Sequence, residues 1–309
     1  MKVSVVIPVY NAEAFIEKAV VSALKQKQTQ EIVLIEDGSN DNSLYKCKQL
    51  EKKYSKVKLF IHSGNKNRGA GASRNLGIEK SKYPFIAFLD ADDYYLPGFF
   101  DMAENIFNSY PDADGVFGTI SAYYYDELSR EKHYKRTGRD KTGLNIDFNP
   151  EKYNLLNILL QPLTGHFSII SLVVKKNVFS TTGYFDTELI QGQDTDFIWR
   201  LSYFCKLYGL PKDKVIAMRG VHSGNRVLND EEHKYYGYIV MKKWLKNIKR
   251  FNIPTQSARL IFRKYLIQHS LVNKYENITL LRLLIKLVIA IKICFQNPYV
   301  FLTLIYKKT

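Results

Sequence analysis

The sequence predicts an α/β fold: a mainly parallel sheet flanked by helices, followed by a basic helical extension. Three observations carry that reading. Short apolar runs rich in β-branched residues alternate with segments of helical spacing through the first 95 residues. The runs end in polar or glycine-bearing stretches, as strands of a parallel sheet buried on both faces do. Basic residues then accumulate from Lys242 to the end, where Glu276 is the only acid.

The first strand spans 3–7, a continuous apolar run stopped by Pro8. Asn11 follows as a helix N-cap, with Ala14, Phe15, Ala19, Val20 and Ala23 at helical spacing to about residue 26. A second strand over 31–35 ends in Glu36-Asp37-Gly38-Ser39, and Asp41 or Asn42 caps a polar helix to about residue 54. The third strand is 57–61. Gly69 to Asn75 is a glycine-bearing loop that opens a helix, and 85–89 is the fourth strand. Leu96-Pro97-Gly98 then starts a helix to about residue 108. A strand is expected over 116–125, a charged loop without clear period over 126–143, and a strand over 168–174. Phe197, Leu201 and Phe204 mark a helix whose N-terminus lies at or near Asp194.

Composition sets limits. The chain has 309 residues, 46% hydrophobic and 24% charged, which suits a folded domain with an appendage and excludes global disorder. Cys47, Cys205 and Cys294 lie far apart without metal-type spacing, which suggests a reducing compartment. The apolar run at the N-terminus is too short for a signal peptide. A formal net charge of +15 calls for a polyanionic neighbour, nucleic acid or an anionic membrane surface.

The chemistry gathers at one edge. Asp90, Asp92 and Asp93 follow the fourth strand directly, and alternation points Asp90 and Asp92 the same way. Two acids on one side repel unless a cation lies between them, and Mg²⁺ commonly shares such carboxylates with substrate phosphates. A solvated strand-end turn satisfies the same spacing. Asn11, Asp37, Gly38 and Arg74 converge on this edge, where ligands of parallel sheets bind. No Gly-x-Gly-x-x-Gly follows the first strand and there is no Walker A sequence, which disfavours dinucleotide enzymes and P-loop ATPases. The residues alone leave Asp194 open between a helix cap and a catalytic base.

Val5-Val6-Ile7-Pro8-Val9-Tyr10-Asn11, Glu36-Asp37-Gly38-Ser39-x-Asp41, Gly71-Ala72-Ser73-Arg74-Asn75 and Asp90-Ala91-Asp92-Asp93 together resemble glycosyltransferase family 2. The resemblance runs from residue 3 to about residue 226. It implies a GT-A fold, a nucleotide-sugar donor, UDP-linked by expectation, and inversion at the anomeric carbon. It implies that Asp37 contacts the nucleobase, with Pro8 and Tyr10 lining its pocket. Asp90 would lie near the ribose or diphosphate, Arg74 near the nucleotide, and Asp92 would bind the metal. In Gln193-Asp194-Thr195-Asp196-Phe197 the carry-over makes Asp194 the base that deprotonates the acceptor hydroxyl, although Gln193 stands where Glu is more frequent. The stretch from Ala217 to Arg226 resembles the closing His-x-x-Ser segment, with a shifted register around Ser223. There His222 would join the metal and Arg226 would reach the diphosphate. Imidazole suits Mn²⁺ better than Mg²⁺. The Gln-x-x-Arg-Trp of processive synthases is absent, so one sugar per encounter is expected.

Two domains follow: 1–226 catalytic, with donor binding in about 1–95 and the acceptor side and base in about 96–226, and 227–309 as a basic amphipathic extension. In the extension Trp244, Leu245, Ile248 and Phe251 form one apolar side before Pro254, and a second helix is expected over 257–274. The third segment, 278–306, is the most hydrophobic but is interrupted by Arg282, Lys286 and Lys292. These cations fit a helix lying in an anionic membrane interface. Packing on the enzyme or on a second subunit fits too, which leaves a homo-oligomer open. The expected place is the cytoplasm, peripheral to the inner face of the cell membrane, with a cell-envelope or lipid-linked glycan as acceptor. Two other classes stand beside this one. A nucleotidyltransferase also pairs carboxylates around Mg²⁺. A non-catalytic nucleic-acid-binding protein would use the net charge, but an acid-lined edge repels phosphates, so no nucleic acid is expected.

Overall fold

Residues 1–161, 164–225 and 228–272 are described by the structure, a computed structural model of the chain. β1 (Val3–Val9) lies inside the sheet because its side chains need no water. Val3, Val5, Val6, Ile7 and Val9 are fully buried, and the one hydroxyl, on Ser4, donates to Glu31 Oε1 at 2.7 Å. β1 pairs in parallel with β2 (Thr29–Glu36); β3 (Val57–Ile61) lies beyond β2, and β4 (Phe85–Phe88) pairs with the other side of β1. The crossovers are α1 (Ile16–Leu24), α2 (Ser43–Lys53) and α3 (Ala70–Lys80).

The chain continues through β5 (Tyr94–Tyr95), α4 (Phe99–Ser109), β6 (Gly115–Phe117), β7 (Thr119–Tyr124), α5 (Glu127–Thr137) and α6 (Leu155–Leu160). It then forms β8 (Leu172–Lys175), α7 (Val178–Thr182), α8 (Gln193–Phe204), β9 (Leu207–Gly209) and β10 (Val215–Val221). The main sheet has the order β3-β2-β1-β4-β8-β6-β9, and a smaller one the order β5-β10-β7. Only β8 runs antiparallel to its neighbours in the main sheet, so the expected mainly parallel α/β architecture is what forms.

Four local expectations are corrected. Asn11 is not a helix cap: it sits at φ 48°, and α1 begins only at Ile16. Its Oδ1 accepts the Asn40 amide at 2.9 Å, part of a cross-stitch between the two loops that follow β1 and β2. In the same cross-stitch the Asn11, Ala12 and Glu13 amides donate to Ser39 Oγ, Ser43 Oγ and Asp41 Oδ2. The strand expected over 116–125 breaks at Gly118 into β6 and β7, which belong to different sheets. A Cβ at Gly118 would stand 2.7 Å from Ile216 Cδ1, so the change of sheet passes where a side chain does not fit. The expected loop over 126–143 contains α5. Asp126 Oδ1 caps it by accepting the Ser129 amide at 2.7 Å, and Gly138 ends it in the left-handed region. α5 is polar on nearly every face, so hydrophobic periodicity is silent there. The strand over 168–174 shortens to β8, preceded by a 3₁₀ turn at Ile169–Ser171.

The described residues form two compact units. Residues 1–155 and 163–228 make the first, which holds both sheets; residues 156–162 and those from 229 onward make the second. The second contains α9 (Asp230–Lys246) and α10 (Thr255–Val272), with Pro254 in the turn before α10, where its missing amide costs no helix bond. Trp244, Ile248, Ile253, Ala258 and Ile261 are fully buried. Ser257 Oγ donates to Asn157 Oδ1 at 2.6 Å, and Lys264 Nζ to the Leu159 carbonyl at 3.0 Å. Residues 156–161, read from the sequence as part of the acceptor side, therefore cluster with the C-terminal helices. The third basic segment, 278–306, lies outside the described residues, as does Cys294. Among the described residues no helix is long and apolar enough to cross a membrane.

Candidate active site

The site is built where β1, β2 and β4 end. Glu36, fully buried, turns its carboxylate onto the next loop, accepting the Ser39 amide at 2.6 Å and the Gly38 amide at 3.1 Å. Asp37 reaches the other way. It is 2% exposed and accepts the Arg68 and Gly69 amides at 2.7 and 2.9 Å, which pins the loop that opens α3. His62 Nε2 lies 3.0 Å from Ser73 Oγ and 3.7 Å from Asp37 Oδ1. Pro8 is half-buried near the end of β1 and Tyr10 is exposed just beyond it, both on the edge where Asp37 stands. Each Asp37 oxygen takes one of these amides and keeps a further acceptor lone pair.

The three acids after β4 have three different partners. Asp90 Oδ1 accepts from Arg74 Nη2 at 2.6 Å, and Arg74 is buried with its guanidinium 5.5 Å from the Phe185 ring. Arg74 Nε is buried without a hydrogen-bond partner. Asp92 Oδ2 accepts from Asn225 Nδ2 at 2.8 Å and lies 3.3 Å from His222 Nε2. Asp93 is buried and accepts the Gly220 amide at 2.8 Å. Burial, then the charges of Asp92 and Asp90, push its carboxyl well above the usual range, against Arg219 and that amide. Gly220 is what allows β10 to come so close, since a Cβ there would stand 2.1 Å from the Asp92 carbonyl oxygen.

Asp194 occupies the second position of α8, after Gly192 at φ 79°. It is half-buried, and its Oδ1 accepts the Thr195 amide at 2.8 Å. The preceding Gln193 is buried beside the start of α3: a Cβ on Gly71 would lie 3.4 Å from Gln193 Cγ. Asn75 of α3 clamps the chain leading to α8, donating to the Phe185 carbonyl and accepting its amide, both at 2.9 Å. Beneath, Phe88, Phe179, Phe185 and Phe197 pack ring on ring. Asp196 is fully buried and accepts from Arg200 Nε and Nη2 at 3.0 and 2.9 Å, while Arg200 Nη1 donates to the Thr182 carbonyl. Replacing Asp196 by Ala strands a buried guanidinium, so urea unfolding should show a loss of about 3–5 kcal/mol.

The fold thus brings Arg74 to Asp90 and His222 to Asp92, and sets Asp194 one residue from the contact between α8 and α3. Arg226 lies outside the described residues. Asn225, Phe15, Gly220 and Glu36 lie within stretches the sequence singles out, but it assigns none of them a part in the site. Only Asn225 carried a signal, as an amide three residues after His222 in a Ser-Gly turn. Among the described residues no group of three or more His, Cys, Asp and Glu side chains could hold a metal. A cation shared with a diphosphate needs fewer protein ligands. One carboxylate and one imidazole suit Mn²⁺, so the donor set fits. The Gly224 amide donates to His222 Nδ1 at 3.2 Å, which leaves Nε2 as the ring nitrogen that faces Asp92.

The strand order and the helices that flank the sheet define a fold of the GT-A architecture. The model for glycosyl transferase family 2 matches residues 4–179, more than half of the chain, and the chain belongs to that family. It is 41% identical over 93 residues to an uncharacterized glycosyltransferase of Haemophilus influenzae, across 30% of this chain and 36% of that one. It is 28% identical over 216 residues to the minor teichoic acid biosynthesis protein GgaA of Bacillus subtilis, across 67% of this chain and 44% of GgaA. The chain therefore spans well under two thirds of both relatives. The crystal structure of S. aureus TarS 1-349 in complex with UDP-GlcNAc aligns with a TM-score of 0.61 at 18% identity, across 87% of this chain and 73% of that one. At that identity the likeness is one of fold.

Proposed function

We propose that the protein is an inverting, metal-dependent glycosyltransferase that moves one sugar from a UDP-sugar to a hydroxyl of a cell-envelope or lipid-linked glycan. The observation that carries this reading is the approach of Asp92 and His222, 130 residues apart, to 3.3 Å at the end of the nucleotide-binding edge. Asp37, Pro8 and Tyr10 hold the nucleobase. Asp90 and Arg74 face the ribose and diphosphate, and the unpartnered Arg74 Nε gives a phosphate oxygen a buried donor. Asp92 and His222 hold Mn²⁺ or Mg²⁺, which when bound offsets the charge of the departing diphosphate. Arg226 is proposed to reach the same diphosphate.

Asp194 accepts the proton of the acceptor hydroxyl as that oxygen bonds to the anomeric carbon. The carbon–oxygen bond to the diphosphate breaks on the opposite face, which inverts the configuration. The UDP-GlcNAc complex of TarS supports a UDP-sugar donor, and the name of GgaA supports a cell-wall polymer as acceptor. We further propose that the basic C-terminal extension rests on an anionic membrane surface at the cytoplasmic face, in keeping with its cation-rich composition.

The test is to offer UDP- and GDP-sugars with Mn²⁺, with Mg²⁺ and with EDTA, and to measure nucleoside diphosphate release. Cation-dependent UDP release from a UDP-sugar is the expected result. Release of pyrophosphate from nucleoside triphosphates, or no UDP release under any condition, would overturn the reading.

A further inference from the structure

We infer that Asn225 and Phe15 are positioning residues that hold Asp92 and His222 in register for the cation; this rests on the metal-dependent reading above. Asn225 joins the two ligands through one amide. Its Oδ1 accepts the His222 backbone amide at 2.5 Å, and its Nδ2 donates to Asp92 Oδ2 at 2.8 Å. The orientation of that amide is fixed by its partners. Exchanging oxygen and nitrogen would set an NH₂ against the His222 N–H and the amide oxygen against a carboxylate. Asn225 turns its NH₂, which cannot ligate, towards Asp92 and its side-chain oxygen towards the His222 amide, so it acts through its neighbours.

Phe15 constrains the imidazole. The two rings stack with centroids 4.5 Å apart and planes 25° from parallel. Tyr125 closes the group edge-on, 6.2 Å from the imidazole at 78° and 4.9 Å from Phe15. His222 can therefore turn little about its own ring axis without losing a ring contact, and Asp92 Oδ2 is held where His222 Nε2 points. Phe15, Asp92, Tyr125 and the pair His222 and Asn225 come from the β1–α1 loop and from the segments after β4, β7 and β10. No local sequence pattern would bring them together. Partners of this kind orient metal ligands and lower the cost of assembling the site.

The test measures Mn²⁺ binding by the loss of the free-ion EPR signal, with UDP present, on the full chain. Asn225→Ala and Phe15→Ala should each weaken Mn²⁺ binding about tenfold. Phe15→Tyr should restore it, and in the two alanine variants donor KM should rise more than kcat falls. Two further variants guard against misfolding. Asn225→Ser keeps a short acceptor for the His222 amide but is one atom shorter towards Asp92. Phe15→Leu keeps apolar volume without a ring. Both should melt close to the parent protein and still bind Mn²⁺ more weakly. Parent-like Mn²⁺ affinity in folded Asn225→Ser and Phe15→Leu overturns the inference while leaving the metal reading intact. A parent protein that binds no Mn²⁺ with UDP overturns both.

Discussion

Replacing Asp194 by Asn should lower kcat by about 10²–10⁴-fold, the usual contribution of a positioned general base, while UDP binding persists. The substitution is a clean one at this position. Asn keeps the shape of the side chain and an oxygen to accept the Thr195 amide, so the start of α8 should stay folded. What it lacks is a site for the acceptor's proton. Isothermal titration with UDP and a turnover assay separate the two effects. Near-normal turnover removes Asp194 from its role, and equal losses of turnover and UDP binding would make it a structural residue at a helix start. Gln193 sharpens the point, since no second carboxylate precedes Asp194 to take over the proton.

Asp92→Ala should erase the cation dependence of nucleotide binding. UDP affinity in Mn²⁺ should fall to the value measured in EDTA, and kcat/KM should drop about 100-fold or more, in line with the several kcal/mol a bound cation supplies. The neighbouring acids do not substitute for it. Asp90 is paired with Arg74, and Asp93 is buried against the Gly220 amide with its carboxyl pushed towards the neutral form. Unchanged UDP affinity in Mn²⁺ would count against the metal site. The comparison must be made at one ionic strength, because the chain carries a net charge of +15 and the nucleotide is an anion.

The parts of the fold that were legible in the sequence are those where burial alone decides structure. The apolar stretches within β1, β2 and β4 have no reason to meet water, and the sheet follows from them. The parts that were not legible are those where a polar group chose between partners. Asn11 has the chemistry of a helix cap, but its side chain bonds the neighbouring loop, and α1 starts later. α5 has no apolar face to detect, and only its Asp126 cap and closing Gly138 mark it. β6 and β7 read as one strand because both halves are apolar, and the change of sheet at Gly118 depends on Ile216, far along the chain.

By itself the sequence determined the parallel sheet, the edge on which its polar residues gather and the acidic cluster that follows β4. Periodicity and hydrophobicity act over a few residues, and that range covers all three. Only the tertiary structure decided what each acid does. Asp90, Asp92 and Asp93 are the same side chain within four positions. Arg74 on α3 takes the first, His222 and Asn225 after β10 take the second, and the Gly220 amide with full burial takes the third. Those partners come from as far as 133 residues away, and a carboxylate's charge, reach and proton depend on the groups beside it.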